Sequence, residues 1–374
     1  MKYTKSFNRL ELPSYFKFGI ELEADNVRTK GKGALYTGKS ADYIKEKNWH
    51  MATKREESLV GEGGAELVSP ILTDTEQTWS DISDICEQMK KYPGSKGENV
   101  ETNEKCGLHV HFDANCLAQD QRKMKQFLRL YAESEELLYK MCNDKNDPIR
   151  KGAIHKNLKG LGMISSLWRN GMAAPSSKKI LKQIEDGTLK VSYKKWGKLR
   201  NIAGKFKLDE RRYHGLNLTN IGNEKKNTIE FRMANGTLDP EVIKQNVFLY
   251  ASLIDTAVQS IEKPIEYQEK IDDFLRTDIS EEEKAKRFLT LIMERSEDRE
   301  IYLERWKSVK DAKVFQKNLP RGFAQGRFQR EEFKNIEERT PAYRVKQTYY
   351  NIKNVIQNTI RNTKEQGVNI GYER

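Results

Sequence analysis

The chain has 374 residues, 37% of them hydrophobic and 33% charged, with a formal net charge of +12. That length suits one large domain or two ordinary ones, and the apolar content is enough for a packed core, which excludes wholesale disorder. Cys86, Cys106, Cys116 and Cys142 show no CxxC spacing, against a disulfide framework or a thiolate zinc site; no apolar run suits a signal peptide or a membrane span, so a cytosolic protein with reduced thiols is expected.

Along the chain, Phe16 to Ala24 alternates apolar and polar residues, the pattern of a strand with one greasy face. Residues 25–65 are rich in Gly, Lys and Thr and read as loops and short elements. Glu66-Leu67-Val68-Ser69 is a short strand closed by Pro70. Thr73-Asp74-Thr75-Glu76 fits a capping box, and Trp79, Ile82, Cys86 and Met89 then recur at helical spacing up to about Tyr92. Cys106 to Asp113 alternates again, and a long helix is predicted from about Asp120 to Cys142. Gly215 to Leu218 and Thr228 to Met233 read as two more strands. Asp239-Pro240 supplies an N-cap with Pro at the first helical position, and the helix runs to about Ile261. Beyond Lys263 further helices are predicted, one capped at Ser280 and one opened by Thr340-Pro341.

The charge is uneven. Residues 143–213 hold 18 Lys+Arg and 6 Asp+Glu, a difference equal to the whole chain's +12. Such a segment suits a nucleic acid, an anionic substrate or a solvated surface equally well.

Residues two apart on a strand share a face. Glu21 with Glu23, His109 with His111, and Glu230 with Arg232 therefore form ionisable pairs opposite the apolar residues Ile20, Leu22, Leu108, Val110, Phe112, Ile229 and Phe231. Singly, each pair has a plain explanation: a solvent face, a transition-metal or core histidine pair, a cross-strand ion pair. Together with Glu66 they collect carboxylates that repel unless cations lie between them. Hard oxygen ligands suit Mg²⁺ or Mn²⁺ completed by nucleotide phosphates, and an arginine supplies a fork for a phosphoryl group.

Gly19-Ile20-Glu21-Leu22-Glu23, Glu66-Leu67-Val68-Ser69-Pro70, Cys106-Gly107-Leu108-His109-Val110-His111, Tyr213-x-Gly215-Leu216-Asn217-Leu218, Thr228-Ile229-Glu230-Phe231-Arg232 and Asn235-Gly236-Thr237-Leu238-Asp239-Pro240 come in an order and spacing that resembles the amidoligase family, remote relatives of glutamine synthetase and glutamate–cysteine ligase. The resemblance covers roughly 16–260. It implies an α+β fold, in which an antiparallel sheet curves into a half-barrel with helices on its outer face. Residues 1–262 would form the catalytic domain, with 143–213 as a basic insert, and 263–374 a mainly helical extension. It further implies ATP and Mg²⁺ (or Mn²⁺) as cofactors, and a reaction that phosphorylates a carboxylate and lets an amine displace phosphate. By the same resemblance Glu21, Glu23, Glu66, His109 and Glu230 would be metal ligands. His109, His111, Asn217 and Arg232 would contact the nucleotide, and Arg232, His109 and Glu230 would carry the chemistry. The chain departs from the family at Glu56-Glu57-Ser58, where Asp-x-Ser is expected. The substrates implied are a carboxylate, peptide or glutamate-like, and an amine; glutamine-synthetase relatives often form oligomers. The alternatives are a nucleic-acid-binding protein using 143–213, a metal-dependent hydrolase on the same residues, and a degenerate scaffold.

Overall fold

The computed structural model describes residues 1, 3, 8–24, 44–52, 65–91, 100, 102, 106–143, 215–218, 220–221 and 226–309. Glu57, the basic stretch after Asn143 and the expected helix at Thr340-Pro341 lie outside the described residues. The strands are β1 (Phe18–Ala24), β2 (His50–Ala52), β3 (Ala65–Val68), β4 (Gly107–Asp113), β5 (Leu216–Asn217) and β6 (Thr228–Asn235). They form a 6-stranded sheet in the order β2-β3-β1-β4-β6-β5, every neighbouring pair antiparallel. The sheet is open, and with its helices the molecule has the α+β class that the sequence implies. The edge strand β2 falls in the region expected to be loops and short elements.

The alternation in β1, β4 and β6 sends one set of side chains into an apolar layer. Ile20, Leu22, Leu108, Val110, Phe112, Ile229 and Phe231 are all buried there. Helices α1 (Glu76–Lys91), α2 (Asn115–Ala118), α3 (Gln121–Met141) and α4 (Pro240–Glu262) follow, and α3 and α4 pack on each other and against this side of the sheet. Phe231 stacks on Tyr250 of α4 with centroids 4.3 Å apart and meets Phe127 of α3 edge-on at 6.2 Å. Phe18 stacks on Trp79 of α1 at 5.6 Å. Burial of each such ring contributes about 1.5–3 kcal/mol, before packing geometry is added.

The helix starts follow capping chemistry. Asp120, Asp239 and Ser280 each accept a backbone N–H of the first turn of α3, α4 and α6 (Glu281–Ile292). At α1 the cap expected from Thr73 is displaced by two residues: Thr75 Oγ1 accepts the Thr78 N–H at 3.1 Å. Asp74 instead points away from the helix backbone and accepts the N–H groups of Leu10 (2.9 Å), Leu12 (3.0 Å) and the Trp79 indole (2.8 Å). It thereby ties the N-terminal segment to α1.

Pro70 ends the regular β1·β3 ladder, as expected, yet pairing resumes beyond it. Ser69 Oγ accepts the Ile20 N–H at 2.8 Å, and Phe18 and Leu72 exchange backbone hydrogen bonds of 3.0 and 2.7 Å. A side-chain oxygen thus covers the donor that would lose its partner where the ladder breaks.

Helices α5 (Pro264–Phe274), α6 and α7 (Ser296–Val309) follow α4 directly and belong to the compact unit Met1–Asn318 that contains the sheet. Tyr302 of α7 donates to the Gln245 carbonyl at 2.7 Å, and Arg305 to the Met141 carbonyl at 3.4 Å. The cysteines are free thiols, three of them buried. Among the described residues no helix is long and apolar enough to cross a membrane.

Candidate active site

The register brings the ionisable residues together in adjacent cross-strand rows. Glu21 of β1 lies opposite His109 of β4, Glu23 opposite Glu66 of β3, and His111 opposite Glu230 of β6. Asn217 of β5 lies opposite Glu230 on the other side. All of them share the face that the apolar layer does not use. Glu23, His109 and Glu230 are nonetheless only 3–4% exposed.

Glu21 is the hub. Its Oε2 is 3.1 Å from His109 Nδ1 and its Oε1 is 3.0 Å from His111 Nε2. The second contact has ion-pair distance but lacks hydrogen-bond alignment, so His111 Nε2 is buried without a hydrogen-bond partner. Glu230 ion-pairs with Arg232 on its own strand and accepts the Asn217 amide at 2.5 Å. Arg232 also reaches His109 Nδ1, at 3.4 Å. Glu23 Oε2 accepts the Gly107 N–H at 2.6 Å. A methyl group on Gly107 would come within 2.9 Å of His109 Nε2 and 3.3 Å of Glu23 Oε2, so glycine lets these groups converge without a shift.

Burial raises Glu21, Glu23 and Glu230 and is then opposed by neighbours to different degrees. At Glu21 burial is outweighed by the contacts with His109 and His111, which hold it well below the usual glutamate range. At Glu230 burial is outweighed by Arg232 and the histidines, and the pKa is lowered. At Glu23 burial wins over His109, Arg232 and the Gly107 N–H, and the pKa is raised. Burial would lower His111, but Glu21 and Glu230 raise it overall. Burial disfavours the Arg232 cation too, and Glu230 and Glu23 more than restore it. The site thus sets several carboxylates against one guanidinium in a poorly hydrated place, which leaves a demand for further positive charge.

Two donor groups could answer that demand. Glu21, Glu66 and His109 offer ligand atoms within 4.8 Å of one another, and so do Glu21, His111 and Glu230, with Glu21 common to both. Four of the metal ligands expected from the sequence, Glu21, Glu66, His109 and Glu230, are in these groups. His111, expected at the nucleotide, joins them. Glu23 is in neither group. Asn217, also expected at the nucleotide, is turned to Glu230. Gly107 had no role assigned in advance, although a glycine two residues before a same-face histidine at a strand's start is a readable signal of close approach.

An open antiparallel sheet thus carries acids, histidines and one arginine on one face, with helices behind the other. The family model described as putative amidoligase enzyme matches residues 14–254, which span all six strands and most of α4. The chain belongs to that family, and is a ligase-type enzyme on that ground. No curated protein matches the chain.

Proposed function

We propose that this protein is an ATP- and Mg²⁺-dependent ligase that joins a carboxylate to an amine through an acyl phosphate. The observation that carries this reading is the pair of donor groups sharing Glu21 beside the buried Arg232. Mostly carboxylate oxygens with one imidazole each fit a hard divalent cation, Mg²⁺ or Mn²⁺, and His111 Nε2 is a buried nitrogen still lacking a hydrogen bond. Glu21, Glu66 and His109 would hold one cation, and Glu21, His111 and Glu230 a second. Bound there, they would supply charge neutralisation of the nucleotide phosphates.

The chain's own residues would do the rest. Arg232, fixed against Glu230 and His109, would face the phosphoryl group as the substrate carboxylate oxygen attacks the γ-phosphorus and ADP leaves. The amine nitrogen would then attack the carbonyl carbon, inorganic phosphate would leave, and the nitrogen would lose a proton. Glu230, held by Asn217 and Arg232, would accept it. A half-barrel curvature of the sheet would enclose these reactants. The basic charge of 143–213 favours an acidic acceptor, peptide or glutamate-like.

The test is incubation with ATP, Mg²⁺ and a panel of acids and amines. ADP and phosphate should appear together, and only when both an acid and an amine are present. Turnover without nucleotide would instead reveal a hydrolase. Folded protein that neither binds ATP with Mg²⁺ nor releases ADP across the panel would contradict the ligase reading.

A further inference from the structure

Arg232 sits where β6 breaks register. Leu108 lies opposite Ala234, but Val110 lies opposite Phe231, so Arg232 and Met233 together face the single residue His109. This is a β-bulge, which re-aims a side chain and leaves backbone groups without ladder partners. Among the described residues, β5 is the strand that pairs with the outer edge of β6, and it reaches only Phe231 and Glu230. Next to that pairing, the Arg232 N–H donates to the Gly215 carbonyl at 2.8 Å.

The side chain of Asn143 takes over at that point. Its Nδ2 donates to the Met233 carbonyl at 3.1 Å, and its Oδ1 accepts the Asn235 N–H at 2.8 Å. An amide bonding the C=O of one residue and the N–H of the residue two further on supplies both partners that a neighbouring strand would give them. The same Nδ2 reaches the Tyr139 carbonyl at 2.9 Å, an orphan acceptor in the last turn of α3. Cys142, the C-cap of α3, adds a weak bond from Sγ to the Met233 carbonyl at 3.4 Å. Asn143 is only 2% exposed, so water does not compete for these bonds. The end of α3 is thereby locked to the bulge.

We propose that Asn143 is a positioning residue for Arg232, its amide closing the bulge that aims the guanidinium at His109 and Glu230. Asn143 touches none of the reacting groups and acts only through the backbone of β6. The consequence for turnover rests on the ligase reading above; the consequence for the geometry of Arg232 does not.

The test uses the full chain and the Arg232 Nε–Hε resonance in NMR, assigned by its loss in Arg232→Lys. Asn143→Ala should shift or broaden that resonance. It should lower kcat about 10- to 100-fold, the scale of a misplaced catalytic group, while ATP·Mg²⁺ affinity stays as in wild type. In an Arg232→Lys background Asn143→Ala should add no further loss. Asn143→Asp keeps the acceptor for Asn235 and loses the donor to Met233, and the same resonance decides if the alanine variant does not fold. An unmoved Arg232 resonance in a folded variant overturns the proposal, as does an equal fall in turnover in both backgrounds. Wild-type protein without ATP turnover would defeat the ligase reading alone, leaving the resonance to decide the role of Asn143.

Discussion

The two faces of the sheet are buried to almost the same degree for opposite reasons. On the helix side Leu22, Val110 and Phe231 are at most 1% exposed, and on the other Glu23, His109 and Glu230 are 3–4% exposed. For the first set, leaving water is the source of stability. For the second it is a cost, since each charge loses hydration that its neighbours only partly replace. Alternate residues of one strand, such as Glu230 and Phe231, therefore serve function and folding separately, and substitutions should sort by face.

The largest effect is expected on the apolar face. Phe231→Ala removes the stack on Tyr250 and the edge contacts with Phe127 and Phe112. It should cost about 3–5 kcal/mol in denaturant unfolding. A loss under half of that would mean the core does not centre on β6. On the polar face Glu21→Gln should lower the unfolding midpoint less than Phe231→Ala does, since it loses only the ion pairs with His109 and His111, while ATP-dependent turnover falls about 10²–10³-fold, the loss typical of removing one preorganised electrostatic group. Reduced stability with intact turnover would reverse the assignment of the faces.

Asp74 sharpens the contrast, because it is a buried carboxylate whose oxygens are satisfied by three donors of the chain itself. Asp74→Ala should cost about 1–3 kcal/mol through the donors it orphans, with nucleotide binding unchanged. The smallest effect is a slope. The folded-state pKa of Glu23 is raised by burial, so the native state holds its proton to higher pH than the unfolded chain does. This contribution makes stability fall as pH rises between the ordinary glutamate value and the raised one, and the cost is fully present above the raised value. Glu23→Gln, which still accepts the Gly107 N–H, should remove that slope from the melting temperature of metal-free protein. The stability gained by the variant should grow with pH; a gain that shrinks with pH would contradict the sign.

Much of this contrast was legible in the sequence, because it rests on a period of two. Glu21, His109, His111, Glu230 and Arg232 share a face as their spacing requires, and Asp120, Asp239 and Ser280 cap helices as their chemistry requires. What was not legible depends on long-range geometry. His50-Met51-Ala52 is too short to show alternation, and becomes a strand only because β3 pairs with it. Thr73 and Thr75 look alike as caps until Asp74 is drawn to Leu10 and Leu12, far away in sequence. Thr228 to Asn235 alternates smoothly on paper, and nothing in it marks the bulge at Arg232 and Met233. Asn143 reads as one more polar residue after a helix, since its partners on β6 lie 90 and 92 positions away.

The central claim, that the polar face gathers cations for a nucleotide, is tested most directly by calorimetry of ATP binding to the folded protein with and without Mg²⁺. The account predicts binding that requires Mg²⁺ or Mn²⁺ and is lost in Glu21→Gln. Binding that is absent in both proteins, or equal in both, would contradict it.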